Sequence, residues 1–276
     1  MLDAEKLAGQ IGRTVTVAGN FSISGTASLL MDDANTNATL NIAGNFSHLG
    51  NSKIYETGTA TGSVINFNGT STQTYTKATT ATNVDIVNYA ILSGAIVDFG
   101  TNVLNGTVNT GIVQGTFTLN SGATIITANV DGLNSIGTNL GTIQITGGRV
   151  YNSGANYTYS GSAIQNSGNF TTTPTANLVN KLTISNTAGT GTTGVTLQQK
   201  LSITTALTFN SGVLTTTNAN VVILNSAATV SGYGSVINGT SDRFVNGPMK
   251  KVGATSSFIF PVGNISPASF YAPIAV

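Results

Sequence analysis

Glycines at 19, 44, 69 and 94 stand 25 residues apart, and each closes the same short phrase. The phrases are Val15-Thr16-Val17-Ala18-Gly19, Leu40-Asn41-Ile42-Ala43-Gly44, Ile65-Asn66-Phe67-Asn68-Gly69 and Ala90-Ile91-Leu92-Ser93-Gly94. The first two run on into identical Asn-Phe-Ser, at Asn20-Phe21-Ser22 and Asn45-Phe46-Ser47. A fixed period in the twenties is the mark of a stacked repeat. Apolar residues alternate with small or polar ones inside each phrase, so the stacked unit is a strand.

A 25-residue unit is too short for a propeller blade and has no helical segment for a leucine-rich repeat. It accommodates three short strands and three turns, which is one coil of a parallel β-helix. The predicted fold is therefore all-β: a parallel β-helix (β-solenoid) with coils of about 25 residues. At about 4.8 Å per coil, roughly nine coils make a rod about 45 Å long. Inward positions are Val15, Val17, Leu40, Ile42, Ile65, Phe67 and Leu92. Outward positions such as Thr16 and Asn41 form polar ladders. A β-sandwich of short strands spaced about 8–12 residues apart is the other reading, and it leaves the 25-residue identity unexplained.

The rest of the chain is the same kind of material up to about residue 240. Short alternating runs recur at 116–120, 142–146, 182–185, 207–210 and 221–224, separated by Gly, Asn and Ser. The strict register fades after Gly94, as it does when insertions lengthen turns on one side of a coil. Only Pro174 interrupts this stretch, which suits strands paired on both edges. Four of the five prolines, at 248, 261, 267 and 273, fall in the last 29 residues. The expected organisation is residues 1–11 as an N-terminal cap or added segment, 12–240 as solenoid, and 241–276 as the start of a second β module or a C-terminal cap. Residues 2–10 have the only helix-forming composition, suited to a short capping helix.

Composition narrows the function classes. Ten basic and nine acidic residues among 276 give a net charge of +1, which leaves no electrostatic footprint for nucleic acid or an anionic membrane. Thr and Asn supply roughly a quarter of the residues, so hydroxyls and amides carry solubility. No apolar run is long enough to span a membrane. The absence of cysteine removes disulfides, thiolate metal sites and thiol nucleophiles, and it suits an exported protein. Met1 to Gln10 lacks the apolar stretch of a signal peptide, so the chain reads as processed or as an internal piece of a longer one.

Two stretches of the last third resemble a known group. Leu207-Thr208-Phe209-Asn210-Ser211-Gly212-Val213-Leu214 followed by Asn220-Val221-Val222-Ile223-Leu224 is one. The other is Phe244-Val245-Asn246-Gly247-Pro248-Met249-Lys250-Lys251 with Phe258-Ile259-Phe260-Pro261-Val262-Gly263 and Tyr271-Ala272-Pro273-Ile274. Together they resemble repeat segments of large secreted, adhesin-like surface proteins of Bacteroidetes-type bacteria. That resemblance implies an exported multi-domain protein, in a type IX secretion context, with surface glycans or other cell-surface proteins as partners. It carries over no catalytic residue.

The residues that could do chemistry are few. His48, the only histidine, stands where the first repeat has Ile23 and reads as a surface or partly packed residue. Asp32-Asp33, with Asn35 and Asn37, offers oxygens for calcium, which takes about six to eight. The Gly-Gly-x-Gly-x-Asp calcium nonapeptide is absent, so a solvated turn is the preferred reading. Asp85, Asp98 and Asp131 are spaced off the period, whereas a paired-carboxylate glycosidase needs its two acids about 5–9.5 Å apart. Asn-x-Ser/Thr triplets at Asn20, Asn68 and Asn105 read as turns. Threonines do not recur at one repeat position, since Thr16 is followed by Asn41, Asn66 and Ile91, which counts against a regular ice-binding face. No catalytic, cofactor-binding or metal residue is assigned, and no cofactor is expected. The expected function is a stiff structural and adhesive spacer on a bacterial surface, not an enzyme. A carbohydrate-active β-helix lyase or hydrolase is the alternative.

Overall fold

The computed structural model describes residues 13–32, 37–56, 62–84, 86–106, 115–134, 140–145, 147–170, 177–188, 193–234, 243–253, 257–265 and 270–276. The side chains of Asp32, Val84 and Phe270 lie outside that description, as does the segment expected to form a capping helix. The described chain is all-β and winds into a β-solenoid of about 8 turns.

Each side of the coil builds one ladder. The first is a six-stranded parallel sheet through Arg13–Val17, Ala38–Ile42, Val64–Phe67, Asn88–Ile91, Phe117–Leu119 and Arg149–Tyr151. The second, eleven-stranded, runs from Phe21–Ile23 to Met249–Lys251 along the length of the molecule. The third side is split between a sheet of Ser28–Asp32, Lys53–Glu56 and Thr82–Val84 and a later sheet from Gln165–Asn166 to Phe270–Tyr271.

The first three repeats stack as the sequence predicts. Val15, Leu40 and Ile65 align, as do Val17, Ile42 and Phe67. Leu40, Ile42, Ile65 and Phe67 are buried, whereas Val15 is 42% exposed because it lies in the first described coil. On the outer face the Asn66 amide donates to Asn41 Oδ1 (2.9 Å) and the Asn41 amide to Thr16 Oγ1 (3.4 Å). The repeat glycine has a steric role. A Cβ on Gly44 would come within 2.4 Å of the Gly19 carbonyl carbon, and one on Gly69 within 2.1 Å of Ala43 O. Coils at this corner touch backbone to backbone, and only hydrogen fits.

The fourth phrase is not the fourth member of the column. Ile91, not Leu92, pairs with Phe67, and Tyr89 pairs with Ile65. The chain is one residue shorter here, and because strand side chains alternate, a one-residue slip exchanges the two faces. Leu92 is consequently only half-buried while Tyr89 and Ile91 fill the interior. The outward position after Asn66 is held by Ala90, not Ile91. Gly94 has φ +83° and stacks on Gly122, whose carbonyl accepts from the Gly94 amide (3.3 Å). It belongs to a different column, a turn of the form x-Ser-Gly-Ala at Leu92–Ala95, Asn120–Ala123 and Asn152–Ala155. In each, the alanine amide donates back to the first residue, and each alanine is buried. This column spaces its members more widely than 25 residues because longer connections on the third side, within 101–116 and 128–148, separate the coils.

Two glutamines close wide corners. The Gly69 amide donates to Gln73 Oε1 (2.8 Å), while Gln73 Nε2 donates to Ile42 O (2.8 Å) and Gly44 O (2.6 Å) of the previous coil. The Gly161 amide meets Gln165 Oε1 (3.1 Å), and Gln165 Nε2 donates to Thr127 O (3.0 Å) and Asn129 O (2.9 Å). Both side chains are buried, so each satisfies backbone groups that water cannot reach. Gln165→Leu keeps the bulk and strands those groups. The expected loss is about 2 kcal/mol, measured by denaturant unfolding.

The segment expected to open a second module near residue 241 begins on the stack. Val245–Asn246 pairs in parallel with Leu214–Thr215, and Met249–Lys251 with Val222–Leu224. The pairing turns antiparallel only where Val262–Asn264 meets Phe270–Tyr271 and Ile259–Phe260 meets Ile274–Ala275. A small separate cluster of Val213, Phe244 and Tyr271 packs beneath this return.

Candidate functional site

His48 is fully buried, contrary to the surface or partly packed position read from the sequence. It continues an inward column between Ile23 above and Lys77 below. Its ring stacks on Phe46 at 6.4 Å and 4°, its Nε2 lies 3.1 Å from Ser52 O, and Nδ1 has no hydrogen-bond partner. Burial pulls its pKa down to about 4; the Ser52 carbonyl opposes that shift and the Lys77 charge adds to it. Lys77 itself is half-buried and donates to Ala81 O (2.5 Å) and Ala78 O (3.3 Å), with burial lowering its pKa. A neutral, packed imidazole enclosed by backbone and aromatic carbon is a structural residue.

The arrangement makes a pH prediction. Between about pH 6.5 and 4 the unfolded chain takes up a proton at His48 that the folded chain refuses. The stabilisation is therefore complete above 6.5 and is lost as the pH falls towards 4. The expected loss is roughly 2–3 kcal/mol, and His48→Leu removes it. Unfolding midpoints at pH 7 and pH 4.5 for the two proteins provide the check.

The acidic residues do not converge among the described residues. Asp98 closes its strand, accepts the Gly100 amide at Oδ1 (2.8 Å), and stands opposite Ile126 of the next coil. Asp131 follows in the turn beyond that strand, where its amide donates to Asn129 Oδ1 (3.0 Å). Asp85, Asp33 and Asn35 lie outside the described residues, and Asp32 contributes only the backbone end of its strand. Glu56, which sequence reasoning passed over, is buried and accepts the Ser63 amide, tying a strand end to the next coil. Among the described residues no group of three or more His, Cys, Asp or Glu could hold a metal ion.

The asparagines of the glycosylation-like triplets are occupied by the stack. Asn20 Oδ1 accepts the Asn45 amide (2.8 Å), and Asn105 O accepts the Asn83 side chain (2.7 Å). Asn68 carries a buried Oδ1.

One groove stands out near the C-terminal return, with a volume of about 390 Å³. Its walls include Tyr233, Phe258, Ser226, Thr229 and Lys251. Lys251 is not a free cation there. Its Nζ donates to Asn225 O (2.6 Å), Ser226 O (2.7 Å) and Ala228 O (2.9 Å), and it lies 5.4 Å from the Phe258 ring centre. The lysine clamps the turn of the coil above, and the groove keeps a neutral lining of hydroxyls and aromatic rings. The sequence had marked the aromatics of this segment but carried no sign of the cleft, because its walls come from two coils. No protein-family model, curated protein or solved structure matches the chain.

Proposed function

We propose that the chain is a stiff structural and adhesive spacer of an exported bacterial surface protein. The observation that carries this reading is the second ladder, eleven strands stacked along the rod. A ladder of that length resists bending and shear, since every coil is hydrogen-bonded to the one before and the one after. The neutral Thr- and Asn-rich outer faces suit contact with surface glycans rather than with charged polymers. Side-chain ladders such as Thr16–Asn41–Asn66 support the same reading, because they bind coil to coil outside the core.

Optical-tweezer extension of the chain along its long axis tests the mechanical part. The expected record is a series of resisted steps as coils release one after another; free extension at low force would overturn it. Incubation with a polysaccharide panel tests the enzyme alternative. Turnover that is lost on Asp98→Asn or Asp85→Asn would replace the spacer reading with a carbohydrate-active one.

A further inference from the structure

The second ladder carries a feature that the first lacks. Thr158 pairs with Thr183, Thr183 with Thr208, and Thr208 with Ser231, so one outward position holds a hydroxyl in four successive strands. Two residues further along the same strands stand Ser160 and Ser185, and Ser185 is aligned with Ser211. The threonine recurrence that the 25-residue phrases do not show is therefore present on the other side of the coil. The two columns make a grid with about 4.8 Å between strands and roughly 6.6 Å along them.

The grid is held firm from beneath and from the side. The residues between its members, Tyr157 and Tyr159, Leu182 and Ile184, Leu207 and Phe209, are all buried in the core. Beside it runs a chain of side-chain hydrogen bonds. Asn156 donates to Thr124 Oγ1 (3.3 Å), Asn180 to Asn156 Oδ1 (2.9 Å), and Thr205 to Asn180 Oδ1 (2.5 Å). Ladders of this kind hold a many-stranded sheet flat. Threonine is stiff at χ1, so its hydroxyl and methyl keep fixed places. Lys181 is the only ionic side chain on these four strands.

We propose that this face binds ice. A hydroxyl both donates and accepts, so a planar array of them holds water oxygens at fixed lattice sites. The spacings lie close to the oxygen repeats of hexagonal ice. The face bears no aromatic ring, the usual platform for a sugar, and almost no charge to disorder the water layer. Lys181 is the one defect in the array.

Ice recrystallisation and ice-crystal shaping by the purified full chain test the proposal. The wild type is expected to halt crystal growth, and Thr183→Tyr to lose that activity with an unchanged circular dichroism spectrum. Thr118→Tyr, outward on the first ladder, is expected to keep it. Lys181→Thr repairs the grid and is expected to strengthen it, which a merely structural effect of the substitutions does not do. The proposal is overturned if the wild type leaves ice growth as an inert protein of equal mass does, or if Thr183→Tyr stays fully active. Retention on an insoluble neutral polysaccharide that Thr183→Tyr abolishes, without any effect on ice, assigns the face to glycan adhesion and also overturns it.

Discussion

Phe46→Ala is expected to lower stability by about 3–5 kcal/mol, the range for removing a fully buried aromatic ring. Phe46 is the hub of the N-terminal core. Its ring centre lies 5.6 Å from Phe21, 6.0 Å from Phe67, 5.5 Å from Tyr75 and 6.4 Å from His48. Removing it leaves a cavity enclosed by stacked backbones that cannot collapse into the space. In a molecule whose coils contact only their neighbours, the damage should also stay local. Native-state hydrogen exchange provides the measurement: amides of Phe21–Ile23 and Phe46–His48 lose protection, while those of Leu201–Ser211 keep theirs. A uniform loss along the chain would show that the rod unfolds as one unit.

Gly44→Ala is expected to cost about 3 kcal/mol, although alanine is ordinarily a mild replacement. The added methyl meets Gly19 C, Gly19 O and Asn20 N at 2.4–2.6 Å, all of them backbone atoms that cannot swing aside. Gly19→Ala meets nothing within 4 Å and should shift stability by less than about 0.5 kcal/mol. Thermal unfolding of the pair separates steric contact between coils from backbone flexibility. Equal effects would mean that the repeat glycine serves its conformation and not the approach.

The fold was legible because its first three coils share one length. Leu40, Ile42, Ile65 and Phe67 announce their burial by alternation, and the Thr16–Asn41–Asn66 ladder follows from the same register. The fourth coil misled because Gly94 keeps the spacing by coincidence: the chain is one residue short there and the glycine serves another turn. The x-Ser-Gly-Ala turns at 92, 120 and 152 were readable, but only to a search that let the period change. The burial of His48 was obscured because a repeat position normally apolar carries an ionisable ring. The hydroxyl grid was hidden for a different reason. Its register depends on which strands of the later coils face each other, and unequal connections on the third side conceal that from linear spacing. The C-terminal groove needed two coils folded together before it existed at all.

Those unequal connections have a consequence for engineering and for descent. Chain can be added at one corner of the coil while the other two ladders stay in register, as the coils joining Asn88–Ile91 to Phe117–Leu119 and Phe117–Leu119 to Arg149–Tyr151 demonstrate. Segments grafted there would emerge along a single edge, one per turn, at the pitch of the winding. The molecule is in that sense a ruler with one writable margin, and its cargo can be lengthened without redrawing the scale.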